Sequence, residues 1–539
     1  MDSKSTLFIL LSCISYVMIE NGYAHAQEKP NIIFLYADDL GYGDLQSYGH
    51  PTSSTPNLNR LASEGLRFTQ FYASAPVCSP SRAAILTGRY HIRSGVYPGV
   101  FDPLSSGGLP HNETTIAEVL QPLGYRTGIV GKWHLGVGEA GTYLPTSQGF
   151  QYYYGMPYSH DYCPCLVCFY PNSSCYDDCR TQMSSCPIYN GTTIVEQPAN
   201  LTSIAKRLTA AAKEFIRESA SSATPFFLYY AFLHTHHPQF AGEAFRNSTA
   251  RGTFGDSLAE MDWGVGQVLQ QLEESGLTSN TFIFFTSDNG PSLMREVRGG
   301  NAGLLKCGKG TTYEGGMRVP GIAHWPGRIS PGRTMQLTAQ IDLLPTVAKL
   351  AGAKLPSNVT LDGVDMSPVL FNSSESARES YSYYPENANP KFGMYALRWK
   401  QYKAHFYTQG WGKSRVSDRD CVATAKRTQH VPPLLYDLHQ DASEQYNLVN
   451  STIYPGVIAE ITKLKAELDA GMVWAQSQTR KPEDENLEPC CNPGCTPFPQ
   501  CCHCSSSHRD QAQGDHTLHG HTHDEHLHWI PESDGVDHR

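Results

Sequence analysis

Four short apolar runs in this chain stop in the same way. Asn31 to Ala37 ends at Asp38-Asp39, Tyr125 to Val130 at Gly131-Lys132-Trp133-His134, Phe226 to Phe232 near His234-Thr235-His236, and Thr281 to Phe285 at Ser287-Asp288-Asn289. Continuous apolar runs of this length, rich in β-branched and aromatic residues, read as strands buried on both faces. Helix patterns lie between them. Thr115 and Glu118 make a capping box ahead of Val119 and Leu120. Ile204, Leu208, Ala212, Phe215 and Ile216 form an apolar stripe closed by Thr224-Pro225, and Leu258, Met261, Val265, Val268, Leu269 and Leu272 form another. The alternation predicts an α/β fold with a large, mostly parallel sheet flanked by helices. Ligands bind such sheets outside the carboxyl ends of the strands, so the polar clusters are expected to meet in one site.

At 539 residues the chain is too long for one ordinary core. Asp342 to Gly352 reads as a helix, and the composition changes near Asn372-Ser373-Ser374. Beyond it, Met394 to Trp399 and Tyr402 to Phe406 read as a hairpin, Leu434 to Leu438 as a strand and Ile453 to Met472 as a helix. The organisation expected is a catalytic domain over 27–375, a smaller α+β domain with an antiparallel sheet and a cysteine-rich end over 376–504, and a tail over 505–539.

Residues 1–26 set the compartment. Lys4, the apolar run from Leu7 to Ile19 and Ala24-His25-Ala26 make a secretory signal peptide. No later run reaches the roughly 18 apolar residues of a membrane span. Sequons at Asn112, Asn172, Asn190, Asn200, Asn247, Asn358, Asn372 and Asn450 agree with secretion. The expected destination is the lysosome or the extracellular space. A formal net charge of −10 speaks against a nucleic-acid partner.

Sixteen cysteines become fifteen once Cys13 leaves with the signal peptide, so one thiol stays outside any intramolecular pair. Six lie between Cys163 and Cys186 and six between Cys490 and Cys504, which leaves Cys78, Cys307 and Cys421. If Cys307 pairs with Cys421, Cys78 is left over; parity alone does not decide it. Pro80 and Gly88 bracket a helix whose positive end would face Cys78. A lone cysteine in a secreted chain is more often half of a disulfide.

The run Cys78-Ser79-Pro80-Ser81-Arg82, continued to Gly88-Arg89, resembles the signature of type I sulfatases. So do Ala37-Asp38-Asp39-Leu40-Gly41, Gly131-Lys132-Trp133-His134-Leu135-Gly136, Ser287-Asp288-Asn289-Gly290 and Gly308-Lys309-Gly310-Thr311-Thr312. Pro157 to Asp161, Thr235 to Phe240 and Cys490 to Cys495 narrow the resemblance to the arylsulfatases. It implies an alkaline-phosphatase-like sheet and a sulfuric ester hydrolase. It also implies that a formylglycine-generating enzyme oxidises Cys78 to Cα-formylglycine. One hydroxyl of the hydrated aldehyde attacks sulfur and expels the alcohol, and collapse of the other ejects sulfate.

Asp38, Asp39, Asp288 and Asn289 supply only oxygen ligands, which with residue 78 suits Ca²⁺, or Mg²⁺ as another hard cation, over Zn²⁺. By the same resemblance Arg82 supports the formylglycine, Lys132 and Lys309 hold sulfate, and Ser159 supports the site by hydrogen bonding. His236 with Lys309 protonates the leaving alcohol, and His134 takes the proton during elimination. Singly, each acidic pair reads as a turn, each cation as a solvated surface group and each histidine as structural. Aryl sulfates and galactosyl-3-sulfate lipids are the implied substrates, with a lipid-presenting protein as possible partner and a homodimer as the assembly.

The resemblance further implies Cys165–Cys179 and Cys168–Cys175. Cys163 and Cys186 fall outside its pattern and are expected to pair with each other. Two alternatives remain at this stage: a phosphatase or phosphodiesterase of the same superfamily, and an inactive binding glycoprotein on this fold. The tail carries eight histidines after His503 and few apolar residues, so disorder is expected. Metal binding or a pH-sensitive association is one reading of the histidines, a dispensable solvated tail the other. A chain ending near Ser505 is expected to keep its metal content, assembly and aryl sulfate turnover; loss of any of the three would give the histidines a role.

Overall fold

The computed structural model describes residues 29–163, 186–372, 376–412, 418–424, 426–451 and 454–504. Eleven strands form one mixed sheet: β1 (Asn31–Ala37), β2 (Leu66–Tyr72), β3 (Arg126–Lys132), β4 (Tyr152–Met156), β5 (Ile188–Asn190), β6 (Thr193–Glu196), β7 (Phe226–Ala231), β8 (Thr281–Ser287), β9 (Arg318–His324), β10 (Gly332–Thr334) and β11 (Thr338–Ala339). Their order is β10-β2-β9-β8-β1-β7-β3-β4-β5-β6, with β11 also on β2. The stretch β8-β1-β7-β3-β4 is parallel throughout. The four apolar runs singled out in the sequence are β1, β3, β7 and β8, and they lie side by side at its centre.

Both faces of this stretch are covered, which is why its strands are apolar without alternation. Ile32, Phe34 and Tyr36 of β1 pack on one side with residues of α2 (Cys78–Thr87) and α5 (Leu343–Ala351). Ile33, Leu35 and Ala37 pack on the other with α1 (Pro56–Glu64), α3 (Leu201–Ser221) and α4 (Gly252–Glu274). The Thr115–Glu118 capping box is formed, and Gly352 closes α5 in the left-handed conformation. The antiparallel β9 was not legible in the sequence because Pro320 lies inside it. The backbone accommodates the proline at a register irregularity: Phe68 pairs with Gly321 and Phe71 with Val319, so two residues of β2 face Pro320 alone.

A second, antiparallel sheet runs β12 (Ser380–Tyr383), β13 (Ala396–Trp399), β14 (Tyr402–Thr408) and β15 (Thr428–Asp437), packed by α6 (Pro455–Gly471). The expected hairpin is β13–β14. Tyr72, Met317 and Ile341 join Tyr381, Leu397 and Ala404 in one apolar cluster, so the two sheets share a core. A buried polar joint runs beside it. Lys403 Nζ donates to Glu314 Oε1 (2.9 Å) and to Thr312 O (2.8 Å) and lies 3.1 Å from Glu444 Oε1. His405 Nε2 is 2.6 Å from the same Glu444 oxygen, and Glu444 Oε2 accepts from the Glu314 backbone at 2.7 Å.

Burial alone would raise the Glu444 carboxyl, but Lys403 and His405 outweigh it and hold it at about 2. Its contribution to stability is therefore complete above the ordinary glutamate range and is lost as pH falls through that range towards 2. The stability difference between wild type and Glu444→Gln should shrink over that interval in chemical denaturation. Lys403→Met leaves two carboxylates without their shared cation and should cost about 3–5 kcal/mol, read by the same measurement at neutral pH.

Candidate active site

The carboxyl ends of β1, β3, β7 and β8 deliver their polar clusters to one place, opposite the first turn of α2. Backbone pairing continues past the strands: Asp38 N donates to His234 O and Thr235 N to Asp38 O, both at 2.7 Å, and Asp288 N donates to Ala37 O at 3.1 Å. Asp39 and His134 hold left-handed backbone conformations, φ 58° and 61°. A non-glycine residue there carries a conformational cost that its surroundings must offset, a pattern concentrated at functional sites. Lys309 arrives on a separate loop, fixed by Lys309 N to Pro291 O (2.9 Å) and Gly310 N to Pro76 O (2.8 Å).

Asp38, Asp39 and Asp288 are buried together, against Arg82, Lys132 and Lys309. Lys132 Nζ lies 2.6 Å from Asp38 Oδ2, and Lys309 Nζ 2.6 Å from Asp39 Oδ1. Arg82 Nη2 donates to Asp288 Oδ2 at 2.7 Å and lies 3.5 Å from Asp38 Oδ1. Burial pushes the Asp39 and Asp288 carboxyls up, and neighbouring carboxylates add to this, Asp288 acting on Asp39 and Asp38 on Asp288. The three basic groups thus leave Asp39 and Asp288 under-compensated. Asn289 Nδ2 donates to Asp39 Oδ1 (2.8 Å) and Gly290 O (2.8 Å), while its buried Oδ1 has no hydrogen-bond partner. An all-oxygen donor set with a spare carbonyl suits a hard divalent cation.

Cys78 is the free cysteine among the described residues. Its Sγ, which occupies the position a formylglycine oxygen would take, lies 3.6 Å from Asp38 Oδ1 and 3.6 Å from Lys309 Nζ. The helix N-terminus suggested stabilisation of an anion there. Burial instead drives the thiol far above its ordinary range, Asp288 and Asp38 reinforcing it against Lys132 and Lys309. Asp38, Asp39, Cys78 and His236 converge closely enough to ligate one ion. Oxidation of Cys78 would remove the soft sulfur from that set.

The two histidines differ in tautomer. His134 Nε2 is 2.9 Å from Phe101 O, and a carbonyl only accepts, so Nε2 carries the hydrogen. Its Nδ1 is then a bare lone pair without a partner. His236 Nδ1 likewise donates to His237 O at 2.6 Å, leaving Nε2 to accept from Lys309 Nζ at 3.2 Å. Burial, reinforced by nearby cations, holds both rings well below the ordinary imidazole range. The mobile proton near His236 is therefore carried by Lys309.

A cleft of about 270 Å³ opens onto Cys78, His134, His236 and Lys309. Ser159 lies buried on its wall beside Asp161. Cys78, His134, Ser159, His236 and Lys309 line this cleft, and Asp38, Asp39, Arg82, Lys132, Asp288 and Asn289 form the buried cluster joined to it through Cys78 and Lys309. Cys307 is bonded to Cys421 and Cys163 to Cys186, while Cys165, Cys168, Cys175 and Cys179 lie outside the described residues. The sequence reading missed Glu386 and Trp411, which also line the cleft. They come from the region of the second sheet, and no motif ties them to the strand ends.

The sequence matches the family model described as Sulfatase over residues 30–353, and the C-terminal region of aryl-sulfatase over 376–504. Arylsulfatase A of Homo sapiens is 50% identical over 487 residues, covering 89% of this chain and 96% of that protein. Arylsulfatase G of Homo sapiens is 39% identical over 493 residues, covering 86% and 92%. The PsFucS1 sulfatase from Pseudoalteromonas sp. superposes with a TM-score of 0.71 at 28% identity, covering 87% of this chain and 95% of that one. The chain belongs to the sulfatase family. It is a sulfuric ester hydrolase of arylsulfatase A-like sequence.

If the carboxylate cluster holds a divalent cation, adding Ca²⁺ should raise the melting temperature of the wild-type protein. Asp39→Asn and Asn289→Ala should each lose most of that rise, read by differential scanning fluorimetry in chelated and calcium-loaded buffer.

Proposed function

We propose that the protein hydrolyses sulfate esters, aryl sulfates and galactosyl-3-sulfate lipids among them, through formylglycine made from Cys78 beside a Ca²⁺ site formed by Asp38, Asp39, Asp288 and Asn289. The observation that carries this reading is the neutral, unpaired Cys78, held within reach of Asp38 and Lys309 at the bottom of a cleft. A buried thiol whose ionisation is suppressed is a poor nucleophile, so the position makes chemical sense for a modified residue. Hydrated formylglycine supplies two hydroxyls, one to attack sulfur and one whose deprotonation releases sulfate. A bound divalent cation lowers the pKa of the attacking hydroxyl and adds two positive charges to a cluster of three acids and three bases.

Lys132 and Lys309 stand beside residue 78 and hold the sulfate oxygens, with Arg82 fixing Asp288 beneath them. Lys309 gives its proton to the leaving alcohol, and His236, whose Nε2 accepts from it, orients the ammonium for that transfer. His134 Nδ1 takes the proton from the second hydroxyl, while the Phe101 carbonyl holds the ring's other nitrogen protonated. These roles need a neutral His134, which burial and the nearby cations favour, and a charged Lys309, which the nearby carboxylates favour against burial.

The secretory route, ending in the lysosome or outside the cell, is supported by the exposure of all seven sequon asparagines among the described residues. No helix among those residues is long and apolar enough to cross a membrane. The reading includes conversion by a formylglycine-generating enzyme, a lipid-presenting partner for lipid substrates, and a homodimer.

The test joins mass and rate. A tryptic peptide containing Cys78 should be lighter than the thiol form by the mass difference between thiol and aldehyde. The protein should turn over an aryl sulfate far faster than the matching aryl phosphate. Cys78→Ser should abolish sulfate turnover without shifting the melting temperature, and His134→Ala should lower kcat about 10²–10⁴-fold. An intact thiol in active enzyme, or faster phosphate turnover, would overturn the reading.

A further inference from the structure

The sulfate end of the cleft is built from strand ends of the large sheet, but one wall is not. Trp411 and Glu386 reach it from the region of the second sheet. Trp411 is half-buried, and its indole lies directly on Gly310, the residue after Lys309. A Cβ at Gly310 would fall 2.0 Å from Trp411 Cγ, and the backbone there has φ +83°, so glycine is required on both counts. The disulfide between Cys307 and Cys421 ties the two loops together, and Trp411 N donates to Cys421 O at 3.2 Å. The ring is therefore held at a fixed distance from the sulfate-binding lysine.

Glu386 faces the same space beside Gly99, whose added Cβ would sit 3.6 Å from Glu386 Oε1. Its carboxyl makes no side-chain hydrogen bond or ion pair among the described residues, and burial raises it to about 7. Tyr395 is the titratable neighbour that senses its charge. An unpaired, largely buried carboxyl costs stability unless a ligand completes its hydrogen bonds. An aromatic face and a carboxyl on one wall suit a pyranose ring, which offers an apolar face of C–H bonds and a rim of hydroxyls.

We propose that Trp411 and Glu386 form the subsite for the alcohol half of the substrate and bind the ring of a hexoside sulfate. The indole takes the apolar face of the ring, and the carboxyl takes a ring hydroxyl. This rests on the sulfatase reading of the adjoining cleft and names the substrate class for it. The subsite also accounts for the joint between the sheets: specificity is supplied by one, chemistry by the other, and the disulfide sets their spacing.

Steady-state kinetics on the full-length, formylglycine-containing enzyme test this with methyl β-galactoside 3-sulfate and 4-nitrocatechol sulfate. Glu386→Ala should lower the ratio of kcat/KM for the galactoside monosulfate over the aryl sulfate at least tenfold. Glu386→Gln, which keeps hydrogen-bonding capacity, should hold that ratio within threefold. Trp411→Ala should raise KM about tenfold on both monosulfates and change kcat less than threefold. Unchanged ratios and KM values in folded variants would overturn the proposal, as would equal losses in kcat alone on every substrate. If wild type cleaves only the aryl sulfate, the galactoside part of the proposed function fails. In that case a higher aryl KM in Trp411→Ala upholds the indole's role and overturns that of Glu386, whereas an unchanged KM overturns both.

Discussion

Three buried carboxylates faced by three buried cations hold the active site together. Asp38, Asp39 and Asp288 each come from a different position at the edge of the parallel sheet, and each meets a base from elsewhere: Lys132 from β3, Lys309 from a loop and Arg82 from α2. Desolvation makes any one of these charges untenable alone. The cluster therefore requires α2, the Lys309 loop and the strand ends to be in register simultaneously. That requirement explains why the backbone accepts left-handed conformations at Asp39 and His134. It also keeps Cys78 protonated, because two of the acids face its sulfur and burial denies it water.

The same cluster depends on the second sheet at one remove. Lys309 lies between Cys307, which is bonded to Cys421, and Thr312, whose carbonyl accepts from Lys403. Glu314, a few residues further on, meets Tyr72 of β2 at 2.7 Å and Lys403 of β14 at 2.9 Å. The loop that carries Lys309 is thus stapled at both ends to the smaller sheet. Buried ion clusters add little net stability compared with apolar packing. Their value in this fold is positional: the joint admits one relative placement of Lys309, Trp411 and the strand ends.

The central sheet was legible because burial on both faces writes itself as unbroken apolar runs, and the strand-end rule then put Asp38, Lys132, His236 and Asp288 on one edge. Motif resemblance supplied Cys78 and Lys309, which strand periodicity alone leaves unplaced. Three things were hidden. β9 contains Pro320, whose tolerance depends on a bulge in its partner. The state of Cys78 depends on how fully the site is desolvated, a property of the assembled fold and not of the helix start. Glu386 and Trp411 stand more than 80 residues of chain from the nearest strand end of the site, Ser287, on segments without a recognisable pattern.

Those hidden features share a cause. The candidate residues at the strand ends, Asp38, Lys132, His236 and Asp288, sit where the backbone path is dictated by the parallel sheet, so a local pattern predicts them. The wall of the cleft is set by how a second sheet docks, which no local pattern encodes. In a fold whose chemistry is held this rigidly, the docked wall meets the acid–base cluster by way of the Lys309 loop, where Trp411 rests on Gly310. The architecture separates the part that must stay constant for sulfate chemistry from the part that is free to choose an alcohol.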